Sequence, residues 1–163
     1  MTTDTPTSTA RAVGELPAPA RIRVVLVDAR PERRAIVRSV LEHSDVAATV
    51  EGEAGGCAEA LTAVEHCRAD LVVIDFQEPA QDGLDTVAAL RARFPALVIV
   101  VSSFIGGAAI AGKAMAEGAN AYLLKPFTAR DIVAAMGAAA PNTPAPPSKV
   151  TLAKQNRSSL TSH

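Results

Sequence analysis

The sequence predicts a doubly wound α/β fold, with five parallel strands in one sheet and helices on both faces. Three observations carry that prediction. Short Val/Ile/Leu-rich runs alternate with helical segments along the chain. Such runs are too short and too β-branched for helices, and helices between strands imply βαβ crossovers and a parallel sheet. Several runs also end on a carboxylate, hydroxyl or ammonium side chain. The clearest is Leu71-Val-Val-Ile-Asp75, followed at once by a Pro/Asp/Gly turn.

In chain order, Ile22–Val27 reads as the first strand and Pro31–His43 as a helix, with Pro31 suited to a first helical turn. Val46–Glu51 is strand-like, Ala58–Cys67 helical, and Leu71–Asp75 the central strand. Leu84–Phe94 follows as a helix with Asp82 as its expected N-cap, then Leu97–Ser102 as a strand. Ile110–Glu117 is helical and stops at Gly118, and Ala121–Leu124 is the last strand. Thr128–Gly137 closes the series, capped by Thr128 and stopped by Gly137.

The chain has 163 residues, 48% of them hydrophobic, with no Trp and one Tyr, so the core must be aliphatic. A net charge of −1 argues against a generally nucleic-acid-binding or membrane-surface domain. The charge is uneven: residues 141–163 carry +3, residues 1–20 carry −1 and residues 21–140 carry −3. Cys57 and Cys67 lack C-x-x-C spacing and read as reduced thiols. Without an apolar signal region or a membrane-length apolar run, a cytoplasmic location is expected.

Residues 1–20, rich in Thr, Pro and Ala, read as a disordered tail, and residues 21–140 as the folded domain. Pro141–Pro147 reads as a semi-extended linker, and residues 148–163 as the start of a second domain cut short.

A doubly wound sheet gathers its strand ends at one edge, where open α/β folds place their chemistry. Here that edge receives Asp28, Asp75, Ser102 and Lys125. A carboxylate nucleophile can accept phosphoryl as an acyl phosphate, and a nearby cation and hydroxyl would stabilise the incoming charge. Two acids and a backbone carbonyl such as that of Gln77 are the donors a Mg²⁺ ion takes.

Over residues 21–140 the chain resembles the receiver domain of bacterial two-component response regulators. Val-Asp28-Ala-Arg-Pro31 resembles the family's acidic first-strand motif, and Ile-Asp75-Phe-Gln-Glu-Pro79-Ala-Gln-Asp82-Gly83 its phosphoacceptor motif. Val-Val-Ser102-Ser103 resembles the switch motif, and Tyr122-Leu-Leu-Lys125-Pro126-Phe127 the Lys-Pro loop with its cis peptide. The resemblance implies a flavodoxin-like (βα)5 receiver fold. It also implies Asp75 as phosphoacceptor, Ser102 and Tyr122 as switch residues, and Lys125 as the phosphate-sensing lysine. Asp28, Asp75 and the Gln77 carbonyl would hold Mg²⁺.

One departure matters. The family usually carries two adjacent acids at the end of its first strand, the second a direct metal ligand. Ala29 stands at that position, so Mg²⁺ binding is expected to be weak. Arg30 is a candidate stand-in for the missing metal, the alternative being that it points to solvent. With Arg33, Arg34 and Arg38 it otherwise reads as a solvated face, or as a contact for a kinase or sister subunit.

The nearly uncharged segment Phe104–Glu117, its helix weakened by three glycines, reads either as a partner or homodimer surface or as a closely packed small-residue helix of an alanine-rich protein. Gly52–Gly56 reads as a plain turn, and His43 and His66 as capping or solvated residues. Leu160-Thr-Ser-His163 resembles the opening of LuxR/NarL-type helix-turn-helix domains, so DNA binding would belong to the missing C-terminal part of a parent protein. The expected function is a receiver that takes phosphoryl from a histidine kinase and controls transcription. The alternative is a phosphorylation-independent interaction or ligand-sensing module. An aspartate-nucleophile phosphatase of the haloacid dehalogenase type needs a second acid where Gln77 stands, so no enzyme activity is expected.

Overall fold

The computed structural model describes residues 20–77 and 80–138. Strands β1 (Ile22–Val27), β2 (Ala48–Ala54), β3 (Leu71–Phe76), β4 (Val98–Ser103) and β5 (Ala121–Leu124) alternate with helices α1 (Pro31–Glu42), α2 (Cys57–Cys67), α3 (Gln81–Arg93), α4 (Ala108–Glu117) and α5 (Ala129–Ala138). All five strands pair in parallel in the order β2-β1-β3-β4-β5. This is the flavodoxin-like arrangement, and the first crossover reverses direction beside β1 and β3.

Residue alternation along the strands divides the aliphatic side chains between two cores. Val25, Val27, Val72, Ile74, Ile99 and Val101 face Val64 of α2, Val87 and Leu90 of α3 and Ala114 of α4. Val24, Leu26, Val73, Val98 and Val100 face Val37 and Leu41 of α1 and Ile132 of α5. Both sheet faces are therefore dry, which is why the strands read as continuous apolar runs. Each fully buried Leu, Ile or Val contributes about 1.5–3 kcal/mol.

Several local expectations are corrected. Strand β2 runs on to Ala54, past the expected turn at Gly52, because a register shift between Val24 and Val25 lets Gly52–Ala54 pair with Val25–Val27. Gly52 suits that position: a Cβ there would lie 2.9 Å from the Cys67 sulfur. Helix α3 starts at Gln81 with Ala80 as N-cap, so Asp82 lies in the first turn and does not cap it. Gly137 lies within α5 and does not stop it. Of the three glycines assigned to the fourth helix, only Gly112 is inside α4, while Gly107 precedes it at φ 140°.

Other expectations hold. Pro31 opens α1, and Gly118 closes α4 in the left-handed region at φ 115°. Thr128 and Asp131 form a reciprocal cap on α5: the Asp131 N–H donates to Thr128 Oγ1 at 3.3 Å and the Thr128 N–H to Asp131 Oδ2 at 2.7 Å. His43 is the C-cap of α1, and both cysteines are free thiols. No helix among the described residues is long and apolar enough to cross a membrane. The expected tail, linker and second-domain segments lie outside the described residues, apart from Ala20 at the end of the tail.

Candidate functional site

Strand register brings the predicted residues to one edge. Val27 of β1 lies opposite Ile74 of β3, so Asp28 emerges beside Asp75. Asp75 is directly opposite Ser102 of β4. Lys125 follows β5, and its N–H donates to the Ser103 carbonyl at 2.9 Å, which extends the ladder to the turn at the cis Lys125–Pro126 bond.

The Asp75 carboxylate is held on both oxygens. Oδ1 accepts from the Lys125 ammonium at 2.6 Å and from the Ser102 hydroxyl at 3.2 Å. Oδ2 accepts from a guanidinium N–H of Arg33 at 3.1 Å. The Asp75 side chain is 6% exposed. Burial alone would raise its pKa, but the Lys125 ammonium and, with it, the neighbouring Asp28 and Arg33 hold it below the ordinary carboxylate value.

Asp28 behaves in the opposite way. It is buried, and that burial pushes its pKa up; the Arg30 N–H partly offsets this, and neighbouring Asp75 reinforces it. Its Oδ1 accepts from the Arg30 backbone N–H and from the Gln77 amide, each at 2.8 Å. Its Oδ2 is buried without a partner among the described residues.

The solvent-facing alternative for Arg30 holds, and the solvated-face reading of Arg33 and Arg34 is corrected. Arg30 is exposed and gives the site its backbone N–H; the guanidinium on Asp75 comes from Arg33. The reason is helical geometry. Arg30 is the residue before α1, whereas Arg33 stands in the first turn, where side chains lean back toward the helix N-terminus and the sheet edge. Arg34 also leaves the solvated face: it donates to the Asp28 carbonyl and, at 2.8 Å, to Glu53. It thereby ties the β1–α1 turn to β2.

Gln77 is present at the site, but its side-chain amide engages Asp28. Tyr122 lies edge-on to Phe76, with ring centroids 6.2 Å apart, and its hydroxyl donates to the Ile105 carbonyl at 2.8 Å. Ser103 links the same loop, accepting from the Ile105 N–H at 2.9 Å. Phe104, 74% exposed, lies with its ring centroid 4.8 Å from the Lys125 ammonium. Sequence reasoning missed Phe104 and Arg33. The spacing of Arg33 from Pro31 was the available signal for the second; none existed for the first.

The acids open into a cleft of about 460 Å³ lined by Asp28, Ala29, Gly55, Asp75, Gln77 and Asp85. A larger groove of about 610 Å³, bordered by Val64, Phe94 and Met136, lacks these groups. Chemically, Asp75 in this cleft is an ionised carboxylate with two cations and one hydroxyl already aimed at it. That arrangement suits receipt of an electrophilic, negatively charged group.

Residues 24–137 match the family model described as the response regulator receiver domain. The chain is similar to chemotaxis protein CheY of Listeria monocytogenes, 27% identical over 73% of this chain and 98% of that protein. It is 34% identical to the probable transcriptional regulatory protein NarL of Mycobacterium tuberculosis, over 74% of this chain but 55% of that protein. The solved signal receiver domain of M. tuberculosis NarL superposes with a TM-score of 0.63 at 32% identity, covering 72% of this chain and 94% of that one.

Proposed function

This chain belongs to the response regulator receiver family of two-component signalling, and from that premise we propose that it is an atypical receiver with Asp75 as phosphoacceptor. The observation that carries the reading is the Asp75 carboxylate. It is kept ionised at the mouth of a cleft, with Lys125, Ser102 and Arg33 on its two oxygens. In the transfer, a carboxylate oxygen forms a bond to phosphorus as the P–N bond of a kinase phosphohistidine breaks. The electron pair stays on the imidazole nitrogen, which takes up a proton. Lys125 and Ser102 stabilise the charge that develops on the phosphoryl oxygens.

The phosphorylated carboxyl no longer accepts the same bonds from Lys125 and Ser102. Their movement would reach the Ser103–Phe104–Ile105 loop, which Tyr122 and Ser103 hold through Ile105. The adjoining α4 surface is where a second copy would pair, and a LuxR/NarL-type DNA-binding domain beyond residue 141 is the proposed output. The setting proposed for this signalling is the cytoplasm. Receiver domains are generally signalling modules without enzymatic activity of their own.

Receiver domains generally bind Mg²⁺ in the phosphorylation site. The donors here do not fit that ion. Ala29 supplies no carboxylate, both Asp75 oxygens are engaged by protein cations, and Asp28 Oδ1 is taken by two N–H donors. Among the described residues no group of three His, Cys, Asp or Glu is placed to hold a metal. The same mismatch is what a second reading expects, a receiver that works through partners or ligands without phosphorylation.

Intact mass after incubation with a small acyl phosphate separates the two. The first reading expects a gain of one phosphoryl that is absent in Asp75→Asn. A folded protein that gains none would contradict it and leave the second.

A further inference from the structure

We propose that Arg33 is a tethered cation that takes the place of a divalent metal in this pocket, so that the site excludes Mg²⁺; what this means for phosphoryl transfer rests on reading Asp75 as the phosphoacceptor. Four observations carry it. The first is position: Arg33 reaches Asp75 Oδ2 at 3.1 Å from the first turn of α1, over the sheet edge. The second is burial. The Arg33 side chain is 29% exposed and that of Asp75 6%, so the pair is screened less than a surface pair would be.

The third is charge. The charges of Asp28 and Asp75 are matched by Lys125 and Arg33, so a divalent ion reaching these two acids would meet two cations already beside them, with Asp82 and Asp85 elsewhere in the cleft lining. An acid in place of Ala29 would have left net negative charge to attract it. The fourth concerns room and donors. The space enclosed by Asp28, Arg33, Asp75 and Ser102 is about 10 Å³, which holds roughly one water at most. Mg²⁺ demands six close ligands and usually keeps several of its waters. The wider cleft on the other side has volume and is also lined by Asp82 and Asp85, but the one uncommitted oxygen of Asp28 and Asp75, Asp28 Oδ2, is buried.

A guanidinium is also a suitable replacement chemically. It is permanently charged, and its planar fork of donors matches phosphoryl oxygens. Arg33 would keep its charge beside the group through the transfer, with no ion to recruit from solution.

The test is Mg²⁺ titration of the whole chain followed by amide NMR at Asp28, Asp75 and Gln77, a readout that needs no phosphorylation. The wild type is expected to show no saturable shifts at millimolar Mg²⁺. The double variant Ala29→Asp with Arg33→Ala is expected to bind about tenfold tighter or more, the scale on which changes around a site alter metal affinity. Should that variant not fold, Ala29→Asp with Arg33→Gln carries the same expectation. Saturable millimolar binding by the wild type would overturn the proposal. So would a folded double variant that binds no better than the wild type.

Discussion

The two flanks of Asp75 are built differently. On the β4–β5 flank, Ser102, Tyr122 and Lys125 follow the receiver pattern, and each makes a contact at the site or its adjoining loop. On the β1–α1 flank, one of two expected acids is absent, and arginines from α1 have moved in: Arg33 onto Asp75 and Arg34 onto the turn that carries Asp28. In the proposed function the first flank would face incoming phosphate, and the second is where a metal would enter. The difference teaches that the two demands of phosphoryl transfer, anion recognition and charge neutralisation, are separable in this fold. On the proposal made above, one is kept and the other is reassigned from a bound ion to the Arg33 side chain.

The comparison breaks most readily at Lys125. Lys125→Ala removes the closest cation from Asp75, and phosphoryl uptake should slow by about a hundredfold, the usual cost of losing one preorganised charge-stabilising donor. A rate near wild type by intact mass would mean that Arg33 suffices alone, and that the phosphate flank is not the one that matters.

The next largest effect is on the scaffold of the same flank. Gly118 sits at φ 115°, and a Cβ there would lie 2.6 Å from Arg91, whose guanidinium donates to the Gly118 carbonyl and to Asn120 just before β5. Gly118→Ala should therefore cost about 1–3 kcal/mol in urea unfolding. On the other flank, Arg34→Ala removes the tie between the β1–α1 turn and β2. It should cost about 1 kcal/mol. If the two costs came out reversed, the β1–α1 flank would be the more rigid of the two.

The smallest effect is a pH signature. Asp75 is held below its ordinary value, so its pairing stabilises the fold above the unfolded carboxylate pKa of about 3.9, and that stability is lost as pH falls through the folded value. Asp28 is raised, so its contribution has the opposite sign: full at low pH, and lost as pH rises through its folded value. Carboxyl NMR should find Asp75 titrating below Asp28. The reverse order would mean that Lys125 and Arg33 do not dominate at Asp75.

Much of this was legible in the sequence because burial and topology leave periodic traces. The Val/Ile/Leu runs located β1, β3 and β4, and the residues ending them located the sheet edge, while β2 came out shifted from its expected Val46–Glu51. Element starts were less legible where no side chain caps the backbone, as at Ala80 before α3 and Gly107 before α4. The β2 bulge left no trace, because a register shift depends on the partner strand. The site's charge balance was half legible. Ala29 announced a missing acid, but the choice of Arg33 over Arg30 depends on which residue falls inside the first helical turn. That is set by where Pro31 starts the helix.

The most direct measurement is the initial rate of phosphoryl gain from a small acyl phosphate, read by intact mass with Mg²⁺ and again with a chelator. Asp75→Asn serves as the blank. The predicted result is the same rate in both conditions and no gain in the blank. A gain that requires Mg²⁺ would contradict the central claim that this receiver carries its own cation.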